Sequence, residues 1–159
     1  MQLSYRRLPH HYAIGEPLFV TFRLHGSLPT GRVFPSGRLS SGKVFACLDR
    51  LLDEQRVGPA YLRIPAIAEV AAYAIDEGRA HDYLLHAWVV MPNHVHLLIT
   101  PQVEVPALLR KLKGSSARES NKLLGLTGRL FWQDESYDRL VRNTNEFQRI
   151  ASYMLQNPV

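Results

Sequence analysis

A single cysteine, Cys47, stands among 159 residues, which excludes an intrachain disulfide and any zinc site built from paired cysteines. No apolar run approaches the roughly 18 residues that a membrane-spanning helix needs. The N-terminal residues also lack the apolar stretch of a signal peptide. These absences predict a soluble, cytoplasmic protein with no membrane partner. There is no internal repeat and no low-complexity tract. Charged residues make up only 21% against 46% hydrophobic, so the composition is globular, and the length suits one domain over residues 1–159 with a buried core.

The formal net charge of +5 is modest, but its placement is uneven. Residues 1–43 carry six Lys/Arg and one acid, residues 44–104 four and eight, and residues 105–159 nine and five. Two basic ends around an acidic middle suit an anionic polymer held between them. Ordinary solvated helix faces give the same distribution, and charge alone does not choose.

Periodicity then places the elements. Leu18–Leu24 is rich in aromatic and β-branched residues and predicts a strand. Glycine and proline mark residues 26–39 as a loop, with Phe34 between Arg32 and Arg38. Val44, Phe45, Leu48, Leu51 and Leu52 form one helical stripe, ended by Gly58-Pro59. Pro65 opens a second helix with Ile67, Val70, Ala71, Ala74 and Ile75 inward. Two strands at about 82–91 and 93–100 flank Met91-Pro92-Asn93, a turn, and make an antiparallel hairpin. Pro106 opens a third helix, in which Gly114 is a potential break. Phe131-Trp132-Gln133 leads into a polar turn, a short strand follows at 137–142, and Asn143 or Thr144 caps a last helix. The order predicts an α+β, ferredoxin/RRM-like (βαββαβ) antiparallel sheet with helices packed mainly on one face.

Chemistry concentrates in two places. In the second hairpin strand His94 and His96 lie two residues apart, so both imidazoles point to one face while Val95, Leu97 and Ile99 point to the other. Such a pair is a ready set of metal ligands, although strand histidines are also often just hydrogen-bonded polar residues. In the last helix Tyr153 and Asn157 are i and i+4, which puts a phenol and a carboxamide together beside Ile150. They either reach across a cleft or trim the core. The third helix carries Arg110, Lys111, Lys113, Arg118 and Lys122 among small polar residues, which suits phosphate contacts or a solvated face. A histidine-triad hydrolase would need a third histidine where Leu98 stands.

Trp88-Val89-Val90-Met91-Pro92-Asn93-His94-Val95-His96-Leu97-Leu98 resembles the HUH motif of single-tyrosine transposases, a family that includes small insertion-sequence transposases and REP-associated tyrosine transposases. Lys113-Gly114-Ser115 and Asn121 resemble the family's basic helix. Phe131-Trp132-Gln133, Asp138 and Arg142 resemble the segment before its final helix, and Tyr153-Met154-Leu155-Gln156-Asn157-Pro158-Val159 resembles the ending of the REP-associated branch. The resemblance runs from about residue 18 onward. It implies an HUH motif on a central strand and a nucleophile on the C-terminal helix. It further implies cleavage and rejoining of hairpin-bearing single-stranded DNA through a 5′-phosphotyrosine. Tyr153 would be the nucleophile; His94, His96 and Asn157 would hold Mg²⁺ or Mn²⁺ as an uncharged ligand set. Arg110, Lys111, Lys113, Arg118, Lys122, Trp132 and Arg142 would face DNA. Tyr137 is the competing nucleophile, and a non-catalytic single-stranded nucleic-acid-binding module is the competing function. Relatives imply either a monomer or a homodimer that exchanges the tyrosine helix.

Overall fold

The computed structural model describes residues 14–28, 49–50, 52–53 and 58–156. Four strands form one antiparallel sheet: β1 (Leu18–Leu24), β2 (Tyr83–Val90), β3 (His94–Pro101) and β4 (Trp132–Leu140), in the order β2-β3-β1-β4. Three helices complete the described chain: α1 (Pro65–Arg79), α2 (Val105–Leu124) and α3 (Thr144–Gln156), with a 3₁₀ turn at Tyr61–Arg63. The two sequence-adjacent strands β2 and β3 pair directly, while β1 is inserted between β3 and β4. This is the split arrangement expected of a βαββαβ chain. Asp49, Arg50, Leu52 and Asp53 are helical; the rest of the expected 44–52 stripe, and the loop at 26–39 beyond Leu28, lie outside the described residues.

Alternation sorts the two faces. Leu18, Val20, Phe22 and Leu24 of β1 and Val95, Leu97 and Ile99 of β3 join α1 and α2 in the main core. Phe19 and Leu98 point the other way and pack under α3 with Val141, Met154, Phe147 and Ile150. Two helices therefore cover one face and the C-terminal helix lies on the other. β3 is buried along its whole length because it is central and covered on both sides.

Local rules explain the boundaries. Met91 N–H donates to His94 O at 2.8 Å, closing the hairpin turn at Pro92-Asn93. Pro106 sits in the first turn of α2, where a missing N–H costs nothing. α2 continues through Gly114 without a break and ends at Gly125, which takes the left-handed conformation at φ 70°. Gly78 is required for a different reason. A Cβ there would lie 2.5 Å from the Tyr83 hydroxyl, the group that donates to Ile75 O.

Two expectations change. The polar turn after Trp132 is instead the start of β4, which is longer than the expected strand at 137–142. Its pairing with β1 slips between Phe22 and Leu24, where the β4 side has extra residues. Lys113 Nζ donates to the carbonyls of Gln133 and Asp134 at 2.6 and 3.1 Å and to Ser136 Oγ at 3.1 Å. The slip thus leaves carbonyls facing α2 that an ammonium satisfies.

Candidate metal centre and nucleophile

The site lies on the α3 face of the sheet, along the β1–β3 ladder. Phe19 faces Leu98, Thr21 faces His96 and Arg23 faces His94. His94 and His96 are almost wholly buried, with ring centroids 4.7 Å apart. Each ring is held at Nδ1. His96 Nδ1 lies 2.7 Å from Thr21 Oγ1, and the ring stacks on Phe19. His94 Nδ1 lies 2.7 Å from Asn93 Oδ1. Asn93 donates its amide to Leu52 O at 2.9 Å, so its oxygen is left to accept and His94 Nδ1 is the protonated nitrogen.

A third donor completes the cluster. Asp49 Oδ1 lies 3.0 Å from His96 Nε2 and 3.3 Å from His94 Nε2. The donor atoms of Asp49, His94 and His96 all lie within 4.8 Å of one another. Burial pushes the Asp49 carboxyl up, but the neighbouring His94 and His96 imidazoles outweigh this and bring it to about 2. Burial pushes His94 down, against the pull of Asp49. A neutral His94 protonated at Nδ1 presents a lone pair at Nε2, and among the described residues that buried nitrogen has no hydrogen-bond partner. Lone pair and carboxylate oxygen then face each other in a buried site. A cation between them removes that conflict, so the residues fit a divalent metal. Two imidazole nitrogens and a carboxylate oxygen make a mixed nitrogen–oxygen donor set for a divalent ion.

Asp49 was not among the residues expected from sequence. The available signal was its spacing: Phe45, Asp49 and Leu52 are i, i+4 and i+7, so an acid shares the flank of an apolar stripe. Asn157, the expected third ligand, lies outside the described residues.

α3 brings the tyrosine to this cluster. Its first turn packs beside His86, whose ring meets Phe147 edge-on at 5.1 Å and whose Nε2 lies 2.7 Å from Thr100 Oγ1. Six residues after Phe147, the Tyr153 ring centroid is 6.2 Å from that of His96. The helix is anchored at its start by Asn143, whose Oδ1 accepts from Glu146 N–H at 2.9 Å, and by Glu146 Oε1, 2.7 Å from Arg139 Nη2. Tyr137 shares this face, since it pairs with Thr21, but it is one strand further away and packs against Leu28 and Leu52.

The expected DNA-facing residues divide. Arg110, Lys111, Arg118 and Lys122 are exposed on α2, on the layer opposite the histidines; Lys111 pairs with Asp82 and Lys122 with Glu119, each at 3.3 Å. Arg142 is exposed just before α3. Lys113 is instead turned inward onto β4, as described above. Trp132 is a correction. It is only 5% exposed, meets Phe22 edge-on at 4.7 Å and donates Nε1–H to Ser116 Oγ at 2.8 Å, so it belongs to the core and offers no face for base stacking. Among the described residues, no helix is long and apolar enough to cross a membrane.

The IS200-like transposase family model matches residues 66–157, more than half of the chain. No curated protein matches it in sequence. Among solved structures it is similar to a REP-associated tyrosine transposase bound to a REP hairpin, at 18% identity and a TM-score of 0.54, covering 93% of this chain and 69% of that one. A candidate transposase of Deinococcus radiodurans is similar at 18% identity over 96% of this chain and 99% of that one, with a TM-score of 0.40. The first match supports the fold; the family model covers the histidine pair, the basic helix and the tyrosine helix together, and by it the chain belongs to the IS200-like family of transposases.

Proposed function

We propose that the protein cleaves and rejoins hairpin-associated single-stranded DNA through a 5′-phosphotyrosine, with Tyr153 as nucleophile. The observation that carries this reading is the approach of Tyr153 to His96, 6.2 Å between ring centroids, on the face where Asp49 and His94 also converge. The Tyr153 oxygen attacks the scissile phosphorus and the bond from phosphorus to the 3′-oxygen breaks. The phenol proton passes to water and the departing oxygen takes one from water, leaving a 3′-hydroxyl. Attack by a 3′-hydroxyl on the phosphotyrosine reverses the step and joins strands, and because the ester bond is conserved no nucleotide triphosphate is consumed.

A phenol near pKa 10 is a weak nucleophile at neutral pH, so the step needs help at the phosphate. His94, His96 and Asp49 would hold Mg²⁺ or Mn²⁺, which when bound neutralises charge developing on the phosphoryl oxygens. Asn157 would stand four residues beyond Tyr153 as an additional oxygen ligand. Asp49 makes the ligand set anionic rather than neutral. That set would bind the ion more tightly and lower its Lewis acidity. Asn93 and Thr21 orient the two rings, and α3 sets the phenol beside them.

The test is incubation with labelled single-stranded DNA carrying a palindromic hairpin from the chain's own genomic neighbourhood, with Mn²⁺ or with EDTA. A metal-dependent, denaturant-resistant adduct that maps to Tyr153 and is lost in His94→Ala is the expected result. An adduct on Tyr137 would move the nucleophile. Tight binding of intact DNA under all metal conditions would replace the enzyme with a binding module.

A further inference from the structure

Arg23 lies on the same face as the histidines and next to His94, its direct partner across the β1–β3 ladder. Cα atoms of such partners are about 4.5–5.5 Å apart. The residue is only partly buried. Among the described residues its hydrogen-bond partner is Ser27 Oγ, at 3.3 Å, and it forms no ion pair there. Glu135 is an opposing charge in its surroundings and Lys113 a like one. An arginine has five donors in a planar fork that fits a phosphate. Among the described residues most of that fork is unfilled, directly across the ladder from a metal-ligand candidate.

The order of rungs gives the fork a direction. Phe19 and Leu98 lie under α3 with Tyr153; Thr21 and His96 come next; Arg23 and His94 come last, about 7 Å further along the strands. In phosphoryl transfer the attacking and leaving oxygens lie roughly in line through phosphorus. With the phenol on the His96 side, the 3′-oxygen departs toward the Arg23 side. We propose that Arg23 binds the strand that leaves with the 3′-hydroxyl, at the phosphate immediately 5′ of the scissile one. This rests on the strand-transfer reading above. It assigns a polarity to the DNA: the covalently held 5′ end lies toward α3 and the free 3′ end across the β1–β3 ladder at Arg23.

The experiment uses the full chain and the hairpin DNA that gives the adduct. A single methylphosphonate replaces the phosphate 5′ of the mapped nick, in a cycle with Arg23→Met. Arg23→Met is expected to slow single-turnover adduct formation about 10–100-fold, as loss of a charged hydrogen-bonded contact does. The methylphosphonate slows the wild type by a similar factor and changes Arg23→Met little. A second readout needs no turnover. In EDTA, the slope of log affinity against log salt falls by about 0.7 in Arg23→Met, as for one single-strand phosphate contact. Arg23→Lys keeps the charge without the fork; it retains the salt slope and only part of the rate, and it carries the test if Arg23→Met does not fold. Wild-type rates and slope in Arg23→Met, or two rate losses that multiply, would overturn the assignment. Absence of any wild-type adduct would instead overturn the strand-transfer reading, and the polarity with it, whatever the salt slopes show.

Discussion

Asn93 holds His94 in one tautomer: its Oδ1 lies 2.7 Å from His94 Nδ1 while its amide is committed to Leu52 O at 2.9 Å. The turn residue of the β2–β3 hairpin thus orients a ligand candidate and ties the sheet to the helical segment that carries Asp49. Replacing Asn93 by Ala removes the acceptor and lets the ring turn. Affinity for Mn²⁺ is expected to fall about 10–100-fold, as for other groups that orient ligating histidines. Calorimetric titration of Mn²⁺ into the folded variant checks this, and an unchanged affinity would mean that Asn93 serves the turn alone.

Asp49→Asn keeps shape and removes charge. If the carboxylate contributes to metal binding, Mn²⁺ affinity falls and the adduct appears only at higher metal concentration. Without metal the same change relieves the contact between Asp49 Oδ1 and His94 Nε2, which has no hydrogen-bond partner among the described residues. Asp49→Asn is therefore expected to lose less thermal stability in EDTA than in excess Mn²⁺. Melting curves in both conditions give the comparison; equal losses would argue that Asp49 binds no ion.

In this chain Tyr153 stands beside its own His96. A mixture of Tyr153→Phe and His94→Ala proteins should therefore form no adduct, since neither copy has both parts. Recovered adduct on the His94→Ala copy would show that the tyrosine helix is exchanged between protomers.

Glu146 fastens α3 through Arg139 and through Arg142 N–H, which it accepts at 3.0 Å. Glu146→Ala leaves a partly exposed guanidinium without its carboxylate and the Arg142 N–H without its acceptor, while the Asn143 cap on the residue 146 N–H stays. A loss of about 1–3 kcal/mol is expected. Because the histidines sit on β3, Mn²⁺ affinity should survive better than adduct formation. Denaturant melts, titration and the adduct assay on one variant separate these effects.

Burial lowers the Lys113 ammonium to about 8, against 10.5 for an ordinary lysine. Between those two values the unfolded chain holds the proton that the folded chain has lost. This group therefore makes stability rise with pH from about 8 to 10.5. Lys113→Met should flatten that rise, seen as the difference between wild-type and variant denaturation midpoints across the window. A difference that does not change with pH would show that Lys113 keeps its proton in the fold.

Much of the architecture was legible in the chain. Alternation around His94 and His96 placed both rings on one face because a strand has a period of two. Helical spacing put Tyr153 on the same flank as Ile150, which packs under the sheet. These are local regularities that a backbone imposes on its own side chains. Asp49 shows the limit: it precedes the histidine pair by 45 residues, and only the packing of a helical segment over the sheet brings its oxygen to 3.0 Å from His96. Lys113 and Trp132 show it from the other side. Beside other cations and aromatics both look like contacts for DNA, yet the slip of β4 against β1 draws the ammonium to bare carbonyls, and the packing of α2 on Phe22 buries the indole. Sequence determined which groups lie on which side of each element. Which of them meet, and which remain free for a substrate, was decided by long-range packing, because desolvation and hydrogen-bond satisfaction depend on neighbours remote in the chain.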